Sequence, residues 1–438
     1  MLDRSFKQDP YTLVMLTLDA HSVGSVERIK NRFSKIYPEL EIIVHAAASW
    51  EEDPNSLART KKDLARANMV LITLVFLEDH ISAILPDLKK ARENCDLMLG
   101  LVSSKEIVNL TKMGGLDMSK PSSGVLKFLK KLRGSKNKVT GGEKQMAILR
   151  QIPKVLKFIP GKAQDLRAYF LSMQYWLAGS EENIESLFCY LLSRYSSLQN
   201  SEKMEIKSPI EYPETGLYHP DLQRKITEKI SEVPRVKKSI GTVGLLLMRS
   251  YVLSGDTAHY DEVIRSLEAQ GLNVFPAFAA GLDARPAINK FFMSNAKASI
   301  DVFLSLTGFS LVGGPAYNSS KEAEEALAQL DVPYIAAHAI EFQNLNQWDK
   351  SDGGLNPIET TILVSLPELD GATNPTIFGG RLGEEGGCSC CQHLRTGQER
   401  VFDMVPCYER IKSLSEKSSR LVRLKRKENA EKKVGIIL

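Results

Sequence analysis

The sequence lacks several features that mark membrane-spanning, secreted or ATP-binding proteins. No apolar run in its 438 residues approaches the roughly 20 that a bilayer span needs. The first ten residues carry Asp3, Arg4, Lys7 and Asp9, and no apolar stretch of the kind that a secretory signal contains. No G-x-x-x-x-G-K-[ST] motif is present to bind the phosphates of ATP. We therefore expect a soluble, intracellular chain without an ATP site of this type.

Metal-binding histidine pairs are also missing. The chain has seven histidines and none is four residues from another; they are His21, His45, His80, His219, His259, His338 and His393. Zinc-binding helices commonly present two histidines at that spacing. We predict no histidine as a metal ligand.

Net charge is only +4, but one segment is strongly basic. Between Ser119 and Arg167, thirteen Lys and Arg residues stand against Glu143 and Asp165, which gives this segment a net charge of +11. A solvated linker face is one interpretation, and contact with an anionic membrane surface or an acidic partner is another. Nucleic acid is not predicted as a partner, because no recognition motif accompanies the charge.

Residues 1–115 alternate between strand and helix patterns. Short apolar runs predict strands, and apolar residues spaced three to four apart predict helices between them. The strand candidates are Leu13–Leu18, Ile42–Ala48, Met69–Phe76 and Leu97–Val102. This alternation predicts an N-terminal α/β domain with a parallel sheet wound on both faces, of the Rossmann or flavodoxin-like kind.

Residues 116–238 are predicted as a basic, helical linker or neck. Two amphipathic helices are expected there, over Leu166–Leu177 and from Ile184 to Tyr195, with Gly179 ending the first. A second α/β domain of the same doubly wound architecture follows over residues 239–376. Residues 377–433 are predicted as a cysteine-containing loop and basic connector, and residues 434–438 as the first strand of a further, missing domain.

Two motifs in the second α/β domain have the composition of ligand sites. Gly308, Gly313, Gly314 and Pro315 lie in a loop after a predicted strand, where α/β proteins place ligands. A strand–helix turn without a ligand is the alternative. Glu368 and Asp370 are spaced i and i+2, so on a strand their carboxylates would share a face.

Four cysteines form the third candidate site. Cys388, Cys390 and Cys391 lie close together and Cys407 follows. Four thiolates are suited to an iron–sulfur cluster or to zinc. The spacing does not match the two C-x-x-C pairs of common zinc sites, so redox-labile thiols without a metal remain an alternative.

Several motifs, taken together, resemble the large subunit of magnesium chelatase. They are Ile152–Lys162, Asp165–Arg167, Tyr175–Trp176, Gly179, Glu182–Asn183, Gly308–Phe309, Leu311–Ala316, Pro367–Ala372 and Asn429–Val434. The resemblance covers nearly the whole chain from Tyr11. The related large subunit of aerobic cobaltochelatase shares the glycine-rich and Pro-Glu-Leu-Asp-Gly regions but lacks this kind of N-terminal domain. The resemblance therefore favours magnesium over cobalt.

This resemblance implies a function in chlorophyll or bacteriochlorophyll biosynthesis. The large subunit binds protoporphyrin IX and inserts Mg²⁺, while AAA+ partner subunits of the I and D types hydrolyse ATP. Glu368 and Asp370 would then pre-dock Mg²⁺ or accept pyrrole protons, and a solvated turn is the alternative. Family members run on far beyond this length, so we expect an N-terminal portion that is inactive by itself. It would lie in the cytoplasm or plastid stroma, peripheral to the membrane through its basic segment. The alternatives are a truncated, non-catalytic porphyrin-binding or regulatory paralogue, or a relative of the cobaltochelatase large subunit.

Overall fold

The computed structural model describes residues 10–18, 22–47, 49–52, 54–120, 162–314, 317–383, 386–390 and 403–436. The chain forms two compact units, divided between Glu211 and Tyr212.

The described part of the first unit contains a six-stranded sheet. Its strands are β1 (Tyr11–Thr17), β2 (Leu40–Ala46), β3 (Met69–Thr73), β4 (Leu97–Leu101), β5 (Lys112–Met113) and β6 (Leu116–Asp117). Its helices are α1 (Val23–Ile36), α2 (Ser49–Glu52), α3 (Pro54–Ala65), α4 (Glu78–Asn94), α5 (Lys105–Val108), α6 (Lys162–Ala178) and α7 (Glu181–Tyr195), followed by a 3-10 turn at Ser201–Lys203. The sheet order is β2-β1-β3-β4-β5-β6. Strands β1, β2, β3 and β4 are parallel, and β5 and β6 are antiparallel to their neighbours.

Strand β1 shows why this sheet is covered on both faces. Leu13 and Met15 point into one apolar core, and Val14 and Leu16 point into another. Alternate side chains of a strand face opposite sides, so a fully apolar strand needs two covering layers. Helices α1, α6 and α7 supply one layer, and α3 and α4 the other. The predicted α/β class is confirmed.

Helices α6 and α7 belong to the first unit. Tyr169, Phe170 and Phe188 are buried in the same core as Leu13 and Met15 of β1. Their apolar faces are stabilised by this sheet, so they do not form a separate neck. The structural boundary at 211/212 therefore differs from the predicted boundaries at 115 and 238.

The second unit is built on an eight-stranded sheet within the part of the chain that is described. Its strands are β7 (Thr215–Tyr218), β8 (Ile226–Thr227), β9 (Gly241–Met248), β10 (Leu272–Ala279), β13 (Val302–Ser305), β16 (Tyr334–Asn344), β17 (Thr373–Arg381) and β18 (Met404–Pro406). Two small hairpins pair β11 (Met293–Ser294) with β12 (Lys297–Ala298), and β14 (Gly313–Gly314) with β15 (Tyr317–Asn318). The sheet order is β18-β17-β16-β13-β9-β10-β7-β8.

Strands β17, β16, β13, β9 and β10 of this sheet are parallel, and antiparallel strands extend both of its edges. The helices are α8 (Arg249–Ser254), α9 (Ala258–Ala269), α10 (Arg285–Ala287), α11 (Ser320–Leu330), α12 (Leu345–Lys350), α13 (Pro357–Glu359), α14 (Leu366–Leu369) and α15 (Tyr408–Arg426). Single π-helical turns lie at Ile288–Phe292 and Thr360–Ser365, and 3-10 turns at Ile230–Glu232 and Asn429–Glu431. The parallel centre agrees with the predicted fold, and the antiparallel edges were not predicted.

Helix α15 is part of the second unit, although the sequence predicted its residues as a connector. Ile411, Leu414 and Val422 are buried in one core with Val243 of β9 and Val302 of β13. The basic side chains of α15 lie on the opposite, solvated face, as an amphipathic helix requires.

The strand predicted at 434–438 is not formed over 434–436, the part of it that the structure describes. Val434 and Ile436 are 86% and 80% exposed. An isolated segment with no neighbouring strand has no ladder to satisfy its backbone. Among the residues that the structure describes, no helix is both long and apolar enough to cross a membrane.

Candidate functional site

The glycine loop lies at the carboxyl edge of the second sheet, directly after β13. Gly308 has φ +75°, and a Cβ there would come within 3.0 Å of Leu363 Cδ2. Gly313 has φ +112°. Both positions need a glycine, because other residues rarely adopt positive φ. Gly314 lies in β14, and Pro315 lies outside the described residues.

Glu368 and Asp370 do not form the shared-face pair that the sequence predicted. They lie in and just after the short helix α14, and not on a strand. Glu368 is exposed, whereas Asp370 is only 2% exposed. Pro367 lies in the first turn of α14 and favours a helix over a strand here, because proline fits the start of a helix.

Asp370 instead joins the two predicted motifs. The backbone N–H of Leu311 donates to Asp370 Oδ2 over 2.8 Å. Burial raises the pKa of the Asp370 carboxyl, and the Leu311 N–H and the Ser310 hydroxyl oppose this only in part. Its Oδ1 is buried and has no hydrogen-bond partner among the described residues. The carboxyl therefore holds the loop in place and retains a proton more readily than an exposed aspartate.

Two buried residues of β16 were not singled out as site residues from the sequence. The Tyr334 ring stacks on Phe303 at 5.1 Å, and burial together with the charge of Asp370 raises the pKa of its hydroxyl. His338 is 1% exposed, and burial lowers its pKa to about 4. The available signal was the presence of polar residues within an otherwise apolar strand, β16.

The structure brings three of the four predicted cysteines together. The Sγ atoms of Cys388 and Cys390 are 3.1 Å apart, those of Cys390 and Cys407 are 3.4 Å apart, and those of Cys388 and Cys407 are 3.7 Å apart. Cys388 and Cys407 are buried and Cys390 is exposed. Cys391 and His393 lie outside the described residues. The three thiols form a group that is able to hold a metal ion.

Strand pairing positions this group. Strand β18 pairs antiparallel with β17, and the Cys407 N–H donates to the Phe378 carbonyl over 2.8 Å. On the other side, the Ser389 N–H donates to Asp349 Oδ2 over 2.8 Å. These two hydrogen bonds hold Ser389 and Cys407, near the two ends of the 388–407 segment.

The sulfur spacing fits a single ion. Thiolates around one tetrahedral Zn²⁺, bound at about 2.3 Å, lie roughly 3.8 Å apart. The observed distances of 3.1 to 3.7 Å are close to this value. In a [4Fe–4S] cluster each thiolate binds a different iron, which requires a wider spacing, whereas in a [2Fe–2S] cluster two thiolates share one iron.

Comparison with known proteins shows the family. Residues 173–438 match the family described as CobN/Magnesium Chelatase, and residues 12–170 match a domain of unknown function, DUF3479. The chain belongs to the CobN/magnesium chelatase family.

Particular relatives carry the comparison further. The chain is 53% identical to the H subunit of the magnesium chelatase of Cereibacter sphaeroides over 432 residues, which is 98% of this chain and 36% of that protein. It is 33% identical to the chloroplastic magnesium-chelatase protein ChlH of Oryza sativa subsp. indica, over 85% of this chain and 27% of that protein. The chain thus spans about a third of the length of these relatives.

A solved structure is similar in fold. The catalytic subunit of cobaltochelatase from Mycobacterium tuberculosis superposes with a TM-score of 0.53 at 16% identity, over 95% of this chain and 28% of that one. At this identity the likeness shows the fold alone. Its coverage of 95% of this chain contradicts the expectation that the cobaltochelatase large subunit lacks an N-terminal domain of this kind.

Proposed function

We propose that this chain is the N-terminal portion of the porphyrin-binding large subunit of magnesium chelatase. The identity of 53% to the Cereibacter sphaeroides relative along 98% of the chain supports this proposal. The substrates are Mg²⁺ and protoporphyrin IX, in chlorophyll or bacteriochlorophyll biosynthesis. The proposed location is the cytoplasm or plastid stroma.

The proposed partners are AAA+ subunits of the I and D types, which hydrolyse ATP. Mg²⁺ gives up its water ligands reluctantly, so its insertion into a macrocycle calls for an energy input. The sequence contains no phosphate-binding loop of the G-x-x-x-x-G-K-[ST] kind. ATP hydrolysis is therefore assigned to the partners.

A chimera tests this function. The matching part of the Cereibacter sphaeroides protein is replaced by this chain, and magnesium insertion is followed by porphyrin fluorescence with the AAA+ partners and ATP. We expect the chimera to insert Mg²⁺, whereas the same protein without this part does not. A folded chimera that inserts Co²⁺ but not Mg²⁺ would favour the cobaltochelatase alternative.

Within this function we propose the glycine loop, including Gly308, Gly313, Gly314 and Pro315, as a ligand-contacting element held by Asp370. The 2.8 Å bond from Leu311 to Asp370 supports this role. In the chimera, Asp370→Leu should weaken porphyrin binding, while the exposed Glu368→Gln should leave it unchanged. Equal porphyrin binding by the two variants would show that the glycine loop does not contribute to porphyrin binding.

We also propose that Cys388, Cys390 and Cys407, with Cys391, hold an iron–sulfur cluster, which would make the protein sensitive to redox conditions. Zinc is the alternative that the sulfur spacing fits more closely. Anaerobic reconstitution with iron and sulfide should give brown protein with several irons per chain. Cys407→Ser should abolish the colour, while the matched variant Cys189→Ser, in the first unit, should retain it. Colourless protein that binds one zinc ion would contradict the cluster and support a zinc site.

A further inference from the structure

The first sheet has a reversal of strand order that this function does not use. From β1 the chain passes to β2 on one side, and then returns to β3 on the other side of β1. In open α/β sheets, ligands bind where the strand order reverses in this way, outside the carboxyl ends of the strands. Here that position lies between the ends of β1 and β3.

Two threonines end these strands side by side. Thr17 of β1 and Thr73 of β3 are register partners in the last pair of the ladder. They continue the face of Met15 and Leu71, which is the face that α1 covers. Both are 0% exposed, and neither Oγ1 has a hydrogen-bond partner among the residues described. Burying a hydroxyl without a hydrogen bond is unfavourable, so two neighbouring cases indicate a ligand that accepts from both.

Helix α1 is the next element after β1 in the chain. This helix of 14 residues begins at Val23, directly after the short connection 18–22 that leaves β1. Ser22 is in the N-cap position but makes no side-chain capping bond, and its Oγ is also buried without a described partner. The first turn contains no acidic residue. The positive end of the helix dipole and its first N–H groups are therefore at Ser22, which carries an orphaned hydroxyl five residues after Thr17 in the chain.

We propose that the carboxyl ends of β1 and β3, together with the N-terminus of α1, bind a phosphate group. The three hydroxyls of Thr17, Thr73 and Ser22 can each donate one hydrogen bond, and the helix terminus adds N–H donors and a positive potential. A tetrahedral oxyanion satisfies several convergent donors at once, and donors near a helix N-terminus are the usual phosphate environment in α/β folds. Asp19 and His21 lie outside the described residues. The proposal does not depend on the chelatase function.

The test uses the whole 438-residue chain and two probes. Binding of orthophosphate and of adenosine monophosphate is measured by equilibrium dialysis at constant ionic strength. We expect saturable binding of one phosphate group per chain. Stronger binding of the ester would identify a nucleotide-like ligand, and stronger binding of orthophosphate would identify the free anion.

Isosteric variants locate the binding. Thr17→Val and Thr73→Val each remove one donor to a charged acceptor and should weaken binding about tenfold to a hundredfold. Without phosphate, neither variant should unfold at a lower urea concentration, because neither hydroxyl has a partner to lose among the described residues. Ser172→Ala is the matched control, since its Oγ on α6 is also buried and without a described partner. Absence of saturable binding, or equal affinity in the Thr17→Val, Thr73→Val double variant and the wild type, would overturn the proposal.

Discussion

His259 should make the second unit sensitive to acid. Its ring is buried and stacks on Phe378 at 5.7 Å. Neither ring nitrogen has a hydrogen-bond partner among the residues described. Burial, together with the positive charge of Arg381, lowers the pKa of His259 to about 3.

The sign and size of the effect follow from linkage. The unfolded chain takes up a proton below pH of about 6.5, while the folded chain keeps His259 neutral until the pH is near its own pKa. The stability that depends on neutral His259 is therefore fully present above pH of about 6.5, and it is lost as the pH falls towards the pKa of His259 in the folded chain. At pH 5 the loss is about 2 kcal/mol for this residue. His338, whose pKa is lowered to about 4, adds about as much.

The variant His259→Phe tests this reasoning. Between pH 7.5 and pH 5 it should lose about 2 kcal/mol less unfolding free energy than the wild type. Urea unfolding is followed by the fluorescence of Trp348 in a background with Trp50→Phe and Trp176→Phe, so that only the second unit reports. Tyr260→Phe changes an adjacent ring that does not titrate in this range, and should retain the wild-type pH dependence. An unchanged pH dependence in His259→Phe would refute the assignment.

Three further outcomes are expected. Gly379→Ala places a Cβ 2.5 Å from the Val405 carbonyl oxygen, so it should separate β18 from β17 and increase the reaction rate of the Cys407 thiol with a thiol reagent. Gly435→Ala, which meets nothing within 4 Å, is its control, and equal rates in the two variants would contradict the argument. The purified chain alone should show no magnesium insertion by porphyrin fluorescence, even with AAA+ partners and ATP, and any turnover above the uncatalysed rate would be contrary evidence. The basic segment, mostly in residues 121–161 outside the described ranges, should bind anionic vesicles in a salt-sensitive way, at roughly 1 kcal/mol per Lys or Arg near the surface; binding that does not change with salt in a sedimentation assay would exclude it.

The central strands were predictable because their apolar runs are as long as the strands themselves. The run Met69–Phe76 contains all of β3, and Leu13–Leu18 overlaps most of β1. The antiparallel strands at the sheet edges were not predictable, because two to four residues show no periodicity. Strand β18 is such a case, and its three residues were assigned to a loop.

The candidate sites were also predictable only in part. Residue type grouped Cys388, Cys390 and Cys407, and the structure places their sulfurs within reach of one another, although metal binding stays a prediction. Spacing misplaced Glu368 and Asp370, because i and i+2 share a face only on a strand. The bond from Leu311 to Asp370 links residues 59 apart in the sequence, and no local pattern reveals such a contact.

Helix α15 connects two chemically different places. Cys407 occupies its N-cap position, and Arg426 in its last turn binds the Asp301 carboxylate at 2.8 and 3.0 Å. A helix of 19 residues is about 28 Å long. The buried face of the helix packs on the core of the second unit between these two places. One helix therefore carries a cysteine of the candidate metal group at its first end and, at its last, the ion pair with Asp301, whose carboxylate also accepts from the Thr242 N–H at the start of β9.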